Sequence, residues 1–315
     1  MGKLFAFKEH HFDFISKRKI FYIIALIFIV PGLVFAAISG LNAGIDFTGG
    51  MIFNITYTDD VDLASVRQTA SQYLEQTPSV NSSAANQFII RTEELTSEQS
   101  DALLAGLGEL GNIDESMTST DLIGPTIGSE LLRNAIWALV IAGVLMLLYI
   151  TIRFRFNYAI TAIAALAHDV LVLISIFAIF RIEVNSEFIA AILTIVGYSI
   201  NNTIVIFDRI RENQRLGTER DLPTLVNTSI NQTLGRTINT VVAVLILLFA
   251  LFFLGGATTK TFVLALIIGM FAGFYSSVFL VGNIFCFITK VTGGKAKTAR
   301  RQTKAKAKPA TAKGK

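Results

Sequence analysis

Residues 197–213 read GYSINNTIVIFDRIREN, and this stretch decides what kind of protein the chain is. It completes the apolar run Phe188–Phe207, which reaches the ~20 residues a helix needs to cross a bilayer. Tyr198, Ser199, Asn201 and Asn202 sit inside that run, and Asp208-Arg209-Ile210-Arg211-Glu212 follows it at once. Polar side chains at membrane depth cost free energy unless a neighbouring helix or a water-filled cavity satisfies them. A single anchor has no use for them, whereas a membrane protein that moves something does.

Composition agrees. Of 315 residues, 52% are hydrophobic and 16% charged, against about 25% charged in a soluble domain. Five further apolar runs reach spanning length: Ile20–Ile38, Asn134–Ile152, Ala159–Phe180, Thr237–Leu254 and Phe262–Ile288. The runs divide the chain into an N-terminus (1–19), a first span (20–38), a polar loop (39–133), five further spans (134–288) and a tail (289–315). No cleavable signal peptide is evident, because the first run is long and lacks a small-residue cleavage site.

Basic residues orient the spans, since Lys and Arg beside them favour the cytoplasm. One side collects 21 of the 27 Lys and Arg. The sequence therefore predicts a multi-pass protein of the inner (cytoplasmic) membrane with both termini cytoplasmic and the 39–133 loop outside. That loop holds 14 acidic and 3 basic residues. Met51–Tyr57 alternates as a strand, Val61–Glu75 has helical spacing, and Gln87–Arg91 reads as another strand. Thr96 opens a helix with an apolar face at Leu103, Leu104 and Leu107, and Ile113–Ile123 offers a last strand. The order β-α-β-β-α-β predicts a small α+β ferredoxin-like domain, although residues 78–85 are weakly patterned. The expected fold class is a membrane all-α bundle of six transmembrane helices with this external domain between helices 1 and 2.

Several residues invite function. Asp169 is the acid that lies well inside an apolar run, and His168 adjoins it. Such a pair is either a proton relay or a structural acceptor for a neighbouring helix's hydroxyls and amides. A zinc site is not expected, because no second cluster of ligands exists and the chain has 3 His and 1 Cys. Nor is an enzyme: a hydrolase built on His168 and Asp169 lacks a nucleophile with its base. Cys286 reads as a packing residue. Asp208, Arg209 and Arg211 form a cytoplasmic interface, either anchored on anionic headgroups or contacting a partner. GIDFTGG at 44–50 puts Gly44, Asp46, Gly49 and Gly50 at a tight turn or hinge leaving the first span. Arg236 opens the fifth span, where it either snorkels to the interface or meets a carboxylate on a neighbouring helix. Gly269 and Gly273 give a GxxxG spacing that permits close helix approach. The Lys-rich tail lacks the apolar content to fold alone and reads as fixing topology or attracted to lipid headgroups or ribosomal RNA, with no specific nucleic-acid target.

GIDFTGG, LIGPTIGSEL (122–131), ALAHDVLV (165–172), VGYSINNTIVIFDRIREN (196–213) and NQTLGRTINT (231–240) occur in this order. Together they resemble SecF, a family of bacterial protein-export membrane subunits within the RND superfamily. The resemblance covers roughly residues 15–290. It implies half of an RND-type twelve-helix unit, completed by SecD as heterodimer partner. It also implies association with the SecYEG translocon, with YajC as a further candidate, and action on unfolded polypeptide in transit among membrane lipids. No cofactor is implied beyond a proton or other ion gradient. Where the family usually has Ser-Ile-Asn-Asp, this chain has Ser199-Ile200-Asn201-Asn202. The family's Asp is implicated in proton movement, and asparagine cannot titrate. Arg236 matches the family's intramembrane Arg, so its expected partner is SecD's carboxylate. The alternative reading is a half-subunit of a proton-coupled lipid or small-molecule transporter.

Overall fold

The computed structural model describes residues 12–74, 78–84, 86–219 and 221–292. The basic tail from 293, Lys3, Lys8 and Arg220 lie outside the described residues. Among the described residues six helices are long and apolar enough to cross a membrane. They are α1 (Arg18–Ser39), α5 (Pro125–Arg153), α6 (Phe156–Ile179), α7 (Ser186–Leu216), α8 (Leu222–Leu254), and α9 (Ala257–Tyr275) continuing into α10 (Val281–Val291). The last pair is joined by a π-helical turn, Ser276–Leu280.

Burial sorts these helices. The apolar windows of α6 and of the α9–α10 span are 56% and 61% buried, against 11% for α1 and 6% for α5. The first two are the interior of the bundle, and α1 and α5 face outward with large apolar side chains such as Ile27, Phe28, Trp137 and Leu145. One core forms around Phe207, Ile210, Val226, Ile230, Val281 and Phe285. A second, toward the other end, holds Leu173, Phe177, Phe188, Ile192 and Ala265. Tyr158, between Phe207 and Phe285 at centroid distances of 4.9 and 4.4 Å, ties α6 to α7 and α10.

Several helices outrun their apolar stretches. α5 begins at Pro125 instead of Asn134, and α8 at Leu222 instead of Thr237. At 33 residues α8 is about 50 Å long, well beyond a ~30 Å hydrocarbon core. An apolar run marks where the bilayer is crossed, whereas caps mark where the helix starts. The Asp221 side chain accepts from Thr224 N at 3.2 Å and begins α8. The polar extension is then held by α7, where Asn213 Nδ2 donates to Ser229 Oγ and Gln232 Oε1, both at 2.8 Å. Before α1, residues 12–14 lie on α8: Phe12 N donates to Asn231 Oδ1 and Phe14 N to Asn227 Oδ1.

Between α1 and α5 stands an α+β domain. Its strands are β1 (Gly50–Thr56), β2 (Ser79–Ala84), β3 (Gln87–Thr92) and β4 (Ser119–Ile123), with α3 (Leu63–Tyr73) and α4 (Ser97–Gly108) in between. A helical turn, α2 (Ile45–Thr48), precedes β1. The sheet order is β2-β3-β1-β4, each neighbour antiparallel, as a ferredoxin-like sandwich requires. Phe53, Ile55, Phe88 and Ile90 alternate inward and bury against Val66, Ala70, Leu103 and Leu107 of the two helices. The weakly patterned stretch becomes β2, with Val80 as its buried contribution. Pairing with β3 makes it a strand. Thr96 and Gln99 cap α4 reciprocally.

Tyr57 carries a test of this core. Its hydroxyl donates to Leu107 O at 2.9 Å, and burial pushes its phenol from 10.0 up to about 12. The neutral form is the one the fold favours. Its contribution is therefore full below about pH 10 and lost as pH rises toward 12. Tyr57→Phe is expected to lower domain stability by ~1 kcal/mol at neutral pH and to blunt alkaline unfolding in this window, followed by circular dichroism of the full chain.

Candidate functional site

Among the described residues, a buried polar constellation forms where α6, α7 and α9 converge. α6 supplies His168 and Asp169, which are 8% and 1% exposed. A carboxylate so placed needs donors. Ser199 of α7 donates its hydroxyl to Asp169 Oδ2 at 2.5 Å. His168 Nδ1 lies 3.0 Å from Asp169 Oδ1. The Tyr275 ring stacks on the imidazole with centroids 5.7 Å apart, and its own hydroxyl donates to Phe21 O at 2.7 Å.

Gly273 allows the third helix in. A Cβ there would stand 3.1 Å from Ser199 Cβ and 3.6 Å from Asp169 Oδ2. Next to it the π-helical turn begins, with Ser276 and Ser277 fully buried. Ser277 Oγ lies 3.3 Å from Thr203 Oγ1 of α7. Single π turns inside α-helices occur often at functional sites. Asn202 follows Ser199 by one helical turn and is 4% exposed, and its Nδ2 has no hydrogen-bond partner. His168 Nε2 is likewise buried and unpartnered.

Of the residues singled out in the sequence, His168, Asp169 and Asn202 are thus buried around the same pair of helices. Arg236 is not part of this cluster. It is exposed on α8, and among the described residues it makes no ion pair. Asn239 and Thr240 beside it, and Asn201 of α7, are also exposed, although they lie within apolar spans. Asp208, Arg209 and Arg211 lie at the far end of α7. Asp208 meets Arg153 at 3.6 Å with both side chains about half exposed, and Arg209 meets Glu212 at 2.7 Å and Gln232 at 2.7 Å. Exposed pairs of this kind contribute ~0–1 kcal/mol each.

The glycine motif forms an anchored turn. Gly49 and Gly50 take φ of +81° and +150°, and a Cβ on Gly50 would meet Thr92 O at 2.3 Å. Gly44 N donates to Val184 O, and Val184 N to Asn42 O, both at 2.8 Å. Asp46 Oδ2 accepts from Ser186 N at 2.9 Å and so caps the start of α7 alongside Asn185. The turn is therefore bolted to the α6–α7 loop. Ser79 of β2 reaches the same loop through Glu183 Oε2 at 3.1 Å.

Sequence reasoning did not place Ser199 or Gly273 in a site with Asp169. The available signal was chemical: a buried acid requires a donor, and Ser199 is the hydroxyl in the middle of the next span. Among the described residues no three His, Cys, Asp or Glu converge as a metal site would need.

Comparison with known proteins matches residues 105–291 to the family described as protein export membrane protein SecD/SecF, C-terminal. Protein translocase subunit SecF of Sebaldella termitidis is 38% identical over 274 residues, covering 85% of this chain and 88% of that one. SecF of Haemophilus influenzae is 35% identical over 270 residues, covering 85% and 83%. The crystal structure of SecDF from Thermus thermophilus, described as a translocon-associated membrane protein, superposes with a TM-score of 0.77 at 32% identity. There this chain is covered to 90% but spans only 39% of the SecDF chain. The match runs through both the α+β domain and the helices that carry the buried site, and on these grounds this multi-pass membrane protein belongs to the SecD/SecF family, as a protein translocase subunit of the SecF type.

Proposed function

We propose that this chain works as one half of an ion-driven export motor whose other half is SecD. The pair sits in the cytoplasmic membrane with both termini of this chain cytoplasmic and the α+β domain outside. It associates with the SecYEG translocon, with YajC as an accessory, and promotes a late stage in the passage of unfolded polypeptide. The observation that carries this reading is Arg236, exposed on α8 where its apolar run begins and without an ion pair among the described residues. A guanidinium facing lipid is costly, so a second membrane protein supplying a carboxylate there satisfies it. Asn201, Asn239 and Thr240 extend the same demand. The existence of relatives that carry SecD and SecF in one chain, such as SecDF of Bacillus subtilis, supports SecD as that partner.

Energy enters as charge moving through the spans, about 2.3 kcal/mol per charge per 100 mV. On this reading Arg236 holds the partner's carboxylate ionised until a proton displaces the contact.

The test is proton-driven export in inverted vesicles containing SecD, the translocon and either the wild-type chain or Arg236→Ala. Export is expected to drop about tenfold, with Arg236→Lys retaining part of it. Unchanged export by Arg236→Ala, with the complex intact, would sink the reading.

A further inference from the structure

We propose that His168, Asp169 and Ser199 form a proton-binding site inside this chain, separate from any site at position 202 or on Arg236. It rests on the chain spanning a membrane and not on the export reading.

The argument begins with charge. Asp169 is 1% exposed and, among the described residues, has no cationic partner other than its neighbour His168. On the helices packed against α6, the titratable groups at membrane depth are phenols and a thiol: Tyr22 of α1, Tyr149 of α5, Tyr198 of α7, Tyr275 of α9 and Cys286 of α10. Charged groups on those helices lie toward their ends: Arg18 and Lys19, Glu130 and Arg133, Arg153, Glu187, Asp208 through Glu212, Arg215, Lys260 and Lys290. On α6 itself, Arg155 precedes the first turn. With neutral His168 the pair bears a net charge of −1, which a low-dielectric interior penalises. One added proton brings the pair to zero charge. It either forms an O–H bond on Asp169 or an N–H bond on His168 Nε2, with no other bond broken. Both resting places are shown by the geometry: the carboxyl oxygens, and an Nε2 that is buried without a partner.

Each Asp169 oxygen faces one donor, Ser199 Oγ at 2.5 Å and His168 Nδ1 at 3.0 Å. With Asp169 ionised, Nδ1 carries the hydrogen, because two acceptors do not attract. The neighbouring orphan on Asn202 is an amide Nδ2, another donor. A hard cation takes about six oxygen ligands, whereas among the described residues no three His, Cys, Asp or Glu converge here. The π-helical turn beside Gly273 gives α9 a local irregularity where a change in this contact can be absorbed.

The experiment is infrared difference spectroscopy on the full chain in lipid nanodiscs, titrated from about pH 4 to pH 10. A protonated-carboxyl carbonyl band is expected to appear as pH falls, to vanish in Asp169→Asn, and to persist in Asp208→Asn. Ser199→Ala is expected to shift the frequency of this band, because the carboxyl loses a hydrogen-bond partner. Persistence of the band in Asp169→Asn, or an unmoved band frequency in Ser199→Ala, overturns the proposal. So does a midpoint that falls steadily with added sodium at constant ionic strength, which would mark a cation site. If Asp169→Asn does not assemble, the Ser199→Ala band frequency decides. Export is not read, so this result stands or falls separately from the motor.

Discussion

Replacing Gly32 with alanine is expected to unseat α1 from the bundle. A Cβ at this position would lie 2.1 Å from Ser175 Cβ and 2.4 Å from Ser175 Cα. These atoms belong to the buried backbone side of α6 and cannot rotate away. Ordinary carbon contacts need about 3.5–4.0 Å, so the helices must separate by roughly 1.5 Å. Separation would stretch the bond from Ser175 Oγ to Ile29 O, now 3.1 Å. It would also open Tyr275 Oη from Phe21 O, now 2.7 Å. In a membrane no hydrophobic drive pulls helices together, and close packing of small residues is what holds them. Overpacking typically costs about 1–3 kcal/mol, and a clash against backbone belongs at the top of that range. Unfolding of the purified chain in mixed micelles should show that loss for Gly32→Ala. Gly143→Ala on α5, where nothing lies within 4 Å, should show none. Adding Ser175→Gly should recover part of the loss, since it deletes the nearest contact. Equal stability of Gly32→Ala and wild type would refute the close approach.

Much of this architecture was legible because membrane spans and amphipathic strands announce themselves by length and period. Phe53 and Ile55, or Phe88 and Ile90, alternate in sequence as they do in the sheet. What escaped reading was long-range. The Ser79–Ala84 strand has little apolar pattern and exists because β3 pairs with it. α8 begins 15 residues before its apolar run because Asp221 caps it and α7 supplies Asn213. Asp46 reads as part of a flexible turn, yet its acceptor function goes to Ser186 N, 140 residues away. Ser199 and Asp169 are separated by 30 residues and meet only when α6 and α7 pack. Spacing within one helix cannot show such pairs. Arg236 was visible as a charge opening an apolar run, but exposure depends on which flank α8 presents, and one sequence does not fix that.

The long-range contacts also connect the two halves of the fold. α6 and α7 carry His168, Asp169 and Ser199, and the loop joining them holds the domain. Arg181 NH1 donates to Ser39 O and Gly40 O at 3.0 and 2.9 Å, where α1 ends. Val184 pairs with the chain at 42–44, Ser186 N meets Asp46, and Glu183 meets Ser79. Any shift of α7 against α6 therefore reaches the root of β1 and the edge strand β2 through a handful of hydrogen bonds. On the proton-binding proposal, a change of charge at Asp169 acts on the α6–α7 contact through Ser199. On the motor reading this is a route from a proton to the domain that bypasses position 202.

Asn202→Asp is the substitution that separates these routes, and it is expected to raise proton-driven export about tenfold, equivalent to ~1.4 kcal/mol in the coupled step. The side chain at 202 is 4% exposed and lies one turn along α7 from Ser199, whose hydroxyl meets Asp169. A second buried carboxylate there cannot ionise freely beside the first, so one of the two holds its proton to higher pH. The pair would then titrate in two steps belonging to both groups, visible as two components of the infrared carboxyl band. The new acid also removes the unpartnered amide at Nδ2, offsetting part of the desolvation that a buried carboxylate adds. Combining the change with Asp169→Asn should return the band to one step. If that double variant keeps the gain in export, position 202 carries the productive proton and Asp169 only holds Ser199. If the gain disappears, the two acids act as one relay. A complex that exports no faster with Asn202→Asp, while the second infrared step is present, would mean that protonation inside this chain is not what drives the partner.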